Sequence, residues 1–170
     1  TEGIEMASPT RLKSFLVLAG LLALTLAVGA LGSYVTVPQI DGWYAEIVKS
    51  PYNPPRWVFG PAWTTLYILM AVAAWRIAIS SSDRKEAALT AWAVQLALNC
   101  AWSFMFFGMQ RPDLGLINIF LLNLAIIICL IRFHPISRPA FWLMVPYICW
   151  TAYATFLNFE IWRLNPVGPS

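Results

Sequence analysis

Five stretches of this 170-residue chain carry no charged side chain, and they constrain its fold more than any other feature. They run from Ser14 to Ile40, Trp57 to Trp75, Ala87 to Gln110, Leu114 to Ile131 and Pro139 to Phe159. As a helix rising about 1.5 Å per residue, each is long enough to cross roughly 30 Å of hydrocarbon. Barrel strands would be about ten residues long and would alternate apolar with polar side chains. No such alternation appears. The sequence therefore predicts an all-α integral membrane protein, a bundle of five transmembrane helices at about 14–37, 57–79, 86–109, 114–133 and 139–162. They make one domain, 14–163, between an N-terminal segment, 1–13, and a C-terminal tail, 164–170. Residues 1–5 read as a remnant ahead of a native start at Met6.

Composition excludes the other broad classes. Charged residues are 11% of the chain, against about 25% in a soluble domain, so a globule of this size could not be clothed in solvated side chains. Aromatic residues are 15%, far too many for a disordered chain. The first span outruns the apolar core of a signal peptide, about 7–15 residues, and is kept as a membrane helix.

Most connections are short. Ser80 to Lys85 is a polar turn, Arg111-Pro112-Asp113 ends one span and starts the next, and His134 to Arg138 separates the last two. The exception is the loop 38–56, which holds Trp43, Tyr44, Pro51, Pro54 and Pro55. Loops of that length are commonly functional, and its rings argue against disorder. Arg11, Lys13, Arg76, Arg84, Lys85, Arg132 and Arg138 lie on the side of the N-terminus, and Lys49, Arg56, Arg111 and Arg163 on the other. This bias places the N-terminus inside and the long loop outside.

The chain lacks the usual apparatus of catalysis. Cys100, Cys129 and Cys149 are isolated in apolar runs and form neither a disulfide framework nor a zinc spacing. His134, the one histidine, sits in a loop beside Pro135 and reads as an interfacial residue. Glu160 and Arg163 are spaced for a local ion pair. No metal site, nucleophile with a base, phosphate loop or nucleic-acid motif is present, and no cofactor is required by any motif. Gated ion transport is disfavoured too, because it keeps ionisable residues inside the bundle.

Uncharged polar groups and rings remain at membrane depth. Gln95, Asn99, Trp102 and Phe106 share one face of the third span, while Ala93, Ala97 and Ala101 form a ladder on the opposite face. Ala19, Ala23 and Ala27 make a similar ladder on the first span. Such ladders suit close packing on a neighbouring helix or on a second protomer. The amides suit either interhelical hydrogen bonding or contact with a ligand. Trp63 and Tyr67 are one turn apart on the second span, as are Trp150, Ala154 and Asn158 on the fifth, where Pro146 removes a hydrogen bond. Trp63, Trp102 and Trp150 lie deeper than an interfacial belt requires. Their spacing fits core packing and fits equally a flat, apolar ligand with a few polar groups.

Several motifs together resemble the tryptophan-rich sensory protein and translocator protein family, whose mitochondrial branch is called the peripheral-type benzodiazepine receptor. They are Trp43-Tyr44, Asn53-Pro54-Pro55-Arg56-Trp57-Val58-Phe59, and Pro61-Ala62-Trp63. Further along come Gln95, Asn99 and Trp102, and then Pro146-Tyr147, Trp150, Ala154 and Leu157-Asn158-Phe159. The resemblance implies a five-helix bundle, often a homodimer, with a pocket closed by the first loop. It further implies that the pocket takes porphyrins such as protoporphyrin IX as ligand, lined by Tyr44, Pro54, Phe59, Trp63, Asn99, Trp102, Ser103, Trp150, Ala154 and Leu157. The rings would sandwich the ligand, Asn99 would offer a directional hydrogen bond and Ala154 would set the width. No iron ligand is evident, which fits metal-free porphyrin. Phe159 stands where animal members carry a Tyr in a motif associated with cholesterol, which points to the bacterial branch and a bacterial cell membrane.

Three functions follow as expectations: a tetrapyrrole-binding receptor or transporter, a light- and oxygen-dependent porphyrin-degrading enzyme working through Trp63 and Trp150, and a structural membrane subunit. The first accounts best for deep rings without ionisable groups.

Overall fold

Hydrocarbon offers backbone groups no water, so a chain crossing it repeatedly must satisfy them within each helix. The computed structural model, which describes residues 9–166, does so with five long helices. These are α1 (Pro9–Ile40), α3 (Arg56–Ala78), α4 (Lys85–Ser103), α5 (Pro112–Phe133) and α6 (Arg138–Leu164), with a short α2 (Trp43–Glu46) in the long loop. A π-helical turn, Phe104–Gly108, carries α4 on to a span of Lys85–Gly108. The protein is an all-α integral membrane protein. Residues 1–5, read as a remnant, and 167–170 of the tail lie outside the described residues.

Two boundaries differ from the sequence expectation by more than two residues, both on α1. It is already helical at Pro9, where the described residues begin, and the long stems of Arg11 and Lys13 let their charges reach water from a continuing helix. It also runs through Pro38 to Ile40, since a proline so near the end forfeits one backbone bond at little further cost. The loop is correspondingly shorter and contains α2. The start of α6 is capped by Ser137, whose hydroxyl accepts from the Ala140 N–H at 3.3 Å.

The long helices close a ring in the order α1, α3, α6, α5, α4 and back to α1. Its two halves are packed differently. On the N-terminal side Ala71, Ala73 and Ala74 of α3, Ala88 of α4 and Ala140 of α6 are fully buried. Small residues let backbones approach, and Ile77, Ile126, Phe133 and Met144 fill the remaining space. Trp75 Nε1 donates to the Ser14 hydroxyl and carbonyl, each at 3.1 Å, fixing α1 against α3. On the loop side the helices diverge, and Phe106, Phe107 and Ile161 form a second buried cluster on which Trp43, Tyr44 and Ile47 rest.

The loop is fastened to α6 as well. Asn165 accepts from the Val48 N–H (2.9 Å) and donates to the Val48 carbonyl (2.8 Å), pairing with both backbone groups of one residue. The Tyr153 hydroxyl donates to the Tyr52 carbonyl. The alanine ladders face largely outward: Ala19, Ala23, Ala27, Ala93 and Ala97 are exposed, and Ala101 is half-buried.

Candidate functional site: an aromatic cavity beneath the loop

The divergence of the loop-side half leaves a cavity of about 400 Å³, within the range of small-molecule sites. The walls come from α1, α3, α4 with its π turn, and α6, and the loop caps the end through Tyr44 and Asn53. Trp63 and Trp150 meet edge to face with centroids 6.4 Å apart, Phe59 meets Trp150 at 6.0 Å, and Trp63 lies 5.8 Å from Tyr67. Trp102, also on the lining, stacks on Phe106 at 4.9 Å and 19°. Its indole N–H donates to Asn158 Oδ1 (3.0 Å), and Asn158 Nδ2 donates to the Pro112 carbonyl (2.8 Å), which fixes the ring plane.

Asn99 holds three helices together at the floor. Its Oδ1 accepts from the Tyr67 hydroxyl of α3 at 2.7 Å, and its Nδ2 donates to the Tyr147 hydroxyl of α6 at 2.8 Å. At the cap the Tyr44 hydroxyl accepts from Asn53 Nδ2 at 2.9 Å. Burial holds this phenol above its ordinary range, against the Asn53 hydrogen bond and the Arg56 charge, so it stays neutral and keeps a proton to donate.

The wall is uneven. Phe106, Phe107, Leu157, Asn158 and Ile161 are buried, whereas Leu26, Ala30, Ser33 and Val37 of α1 and Gly60 and Thr64 of α3 are exposed. The cavity is therefore open along the seam between the outer halves of α1 and α3. At Gly29 α1 comes close to α3: a Cβ there would lie 2.8 Å from the Tyr67 ring. Only glycine allows that approach.

Comparison with known proteins now decides what kind of chain carries this cavity. The model of the TspO/MBR family matches residues 21–163. The chain belongs to the TspO/MBR family. Tryptophan-rich protein TspO of Chlorobaculum tepidum is 42% identical over 91% of this chain and 99% of its own length. The protein of the same name from Archaeoglobus fulgidus is 39% identical over 86% and 95%. The translocator protein of Bos taurus is 35% identical over 84% and 86%.

In this TspO/MBR chain nine of the ten residues implied by the family resemblance border one cavity: Tyr44, Phe59, Trp63, Asn99, Trp102, Ser103, Trp150, Ala154 and Leu157. Pro54 does not. It lies half-buried in the run leading into α3, where Pro55 adopts φ −55° and ψ 143°. Gln95 shares a helix face with Asn99 but lies below the cavity, fully buried, with its Nε2 3.8 Å from Met70 Sδ. The one-face reading of α4 holds for Asn99, Trp102 and Phe106, which all reach the wall. His134 is exposed, with its ring edge-on to Phe141, and Glu160 pairs with Arg163 through both carboxylate oxygens.

Sequence reasoning missed the α1 wall, the amide of Asn158 as a wall and support, and Tyr67, Asn53 and Arg56. Tyr67 and Asn158 carried a usable signal, one turn from Trp63 and Ala154. The α1 residues carried none, because a stretch of Gly, Ala, Ser and Leu reads the same whether it faces lipid or a cavity.

Proposed function

We propose that this TspO/MBR protein is a membrane receptor or transporter-like protein that takes a flat, largely apolar tetrapyrrole, protoporphyrin IX or a close relative, into the loop-capped cavity. It would serve transport, sensing or a stress response. The observation that supports this most is that two ring pairs, Trp63 with Trp150 and Trp102 with Phe106, border one largely apolar cavity. Rings offer broad contact at low cost in rotamer entropy, and the scarce polar groups set orientation. Relatives are named tryptophan-rich sensory protein in Cereibacter sphaeroides and translocator protein in Bos taurus, and a role of that kind is proposed for this chain. By its Lys and Arg bias, the N-terminus faces the inside of a bacterial cell and the cap faces out.

The test is a titration of the detergent-solubilised protein with protoporphyrin IX, followed by Trp fluorescence. Saturable quenching is expected, with Trp63→Ala and Trp150→Ala each weakening affinity about fivefold or more through loss of ring contact. Trp142→Ala, which removes a ring from the outer surface, serves as the control. Absence of quenching in the wild type, or equal affinity in all four proteins, defeats the reading.

A further inference from the structure

Among the described residues bordering the cavity, Arg56 is the one that carries a formal charge. Lys49, the other cation of the loop, is not among them; its Nζ lies over the Tyr44 ring and donates to the Tyr44 and Ile47 carbonyls. Arg56 is held far more loosely. Its guanidinium has five donors in a fork suited to a carboxylate, yet it meets Asp41 through Nη2 and Oδ1 alone, at 2.8 Å. The two side chains are 64% and 87% exposed. Exposed pairs of this kind contribute little and exchange readily. Arg56 also opens α3, whose first turn contains no acidic residue. A cation there stands at the positive end of the helix dipole, an arrangement that a further anion relieves. The Tyr44 hydroxyl, with its free proton, borders the same end of the cavity.

We propose that Arg56 recognises an anionic group, a carboxylate, at the capped end of the ligand, and that Asp41 occupies the guanidinium until that group displaces it. This rests on the cavity reading above and adds a direction to it: the ring system lies between the tryptophans, and its charged edge faces the loop. Asp41 follows directly after α1 and Arg56 begins α3. The exchange therefore releases the ion pair that spans the two helices beside the open seam.

The experiment compares protoporphyrin IX with its dimethyl ester, which keeps the ring and loses both carboxylates, using the same quenching titration on the full chain. The acid-to-ester affinity ratio of the wild type is the reference. Arg56→Gln is expected to lower that ratio by about three- to tenfold, the range of a charge-assisted hydrogen bond set against a displaced surface partner. Arg56→Lys should keep part of the preference, and Asp41→Asn should raise it by removing the competitor. High salt should shrink the ratio in the wild type and leave Arg56→Gln indifferent. An unchanged ratio in Arg56→Gln overturns carboxylate recognition, while ester binding sensitive to Trp63→Ala leaves the cavity reading standing. Failure of both ligands to quench the wild type overturns the two together.

Discussion

Asn99 shows at the scale of one residue how a polar group serves two ends. In hydrocarbon its amide must find partners, and it finds two tyrosines, one on each flanking helix. Interhelical hydrogen bonds of this kind are worth roughly 0.6 kcal/mol on average and up to about 1.7. Asn99→Leu is therefore expected to lower stability by about 1–2 kcal/mol, with Tyr67→Phe and Tyr147→Phe each giving about half of that. Thermal unfolding in detergent checks the set, and no loss in Asn99→Leu would mean the bridge carries no load. The sequence made Asn99 and Trp102 readable because helical spacing puts them on one face. The partners were another matter. Which tyrosine turns toward which amide depends on the rotation of α3 and α6, and periodicity within a single helix does not contain it. Arg56 escaped notice for a related reason: it sits where loop becomes helix, and only the return of the loop brings it to the cavity.

Elements were read with similar unevenness. The five spans follow from charge-free length, a property of local sequence. The π turn at Phe104–Gly108 does not, since one extra residue in a turn leaves no mark on hydropathy. Its effect is to bury the adjacent Phe106 and Phe107 together, and both carry the cap. The cap itself depends on contacts far apart in the chain, above all the two-way pairing of Asn165 with the backbone N–H and carbonyl of Val48. Removing that amide should loosen the loop without touching the packed half. Asn165→Ala is expected to speed amide hydrogen exchange about tenfold at residues near Val48, a cost of roughly 1.4 kcal/mol in local opening. Exchange at Phe133 and Met144 should stay as it is. Equal protection of the loop in both proteins would show that the rings of α2 hold it alone.

The whole molecule divides into a solid half and a hollow half. Alanines bring the helices together on the N-terminal side, and large aromatic rings keep them apart on the loop side. This division is partly visible in the chain, where Ala71, Ala73 and Ala74 follow Trp63 and Tyr67 along one helix. The opening between α1 and α3 was not visible, yet it determines the medium with which the cavity exchanges. A gap flanked by Leu26, Ala30, Val37, Gly60 and Thr64 in membrane-spanning helices meets acyl chains as its surroundings. Lipid tails are then competitors for the space, and occupancy follows the mole fraction of ligand within the bilayer more than its concentration in water. In vesicles, adding lipid at constant protein and constant total ligand should dilute the bound fraction in proportion, even for a ligand with negligible aqueous solubility. Equilibrium occupancy is the same by either route, so the route shows in the rate. The protein should load faster from vesicles that already hold the ligand than from ligand added to the water. Slower loading from the vesicles would mean that the cavity fills through the cap.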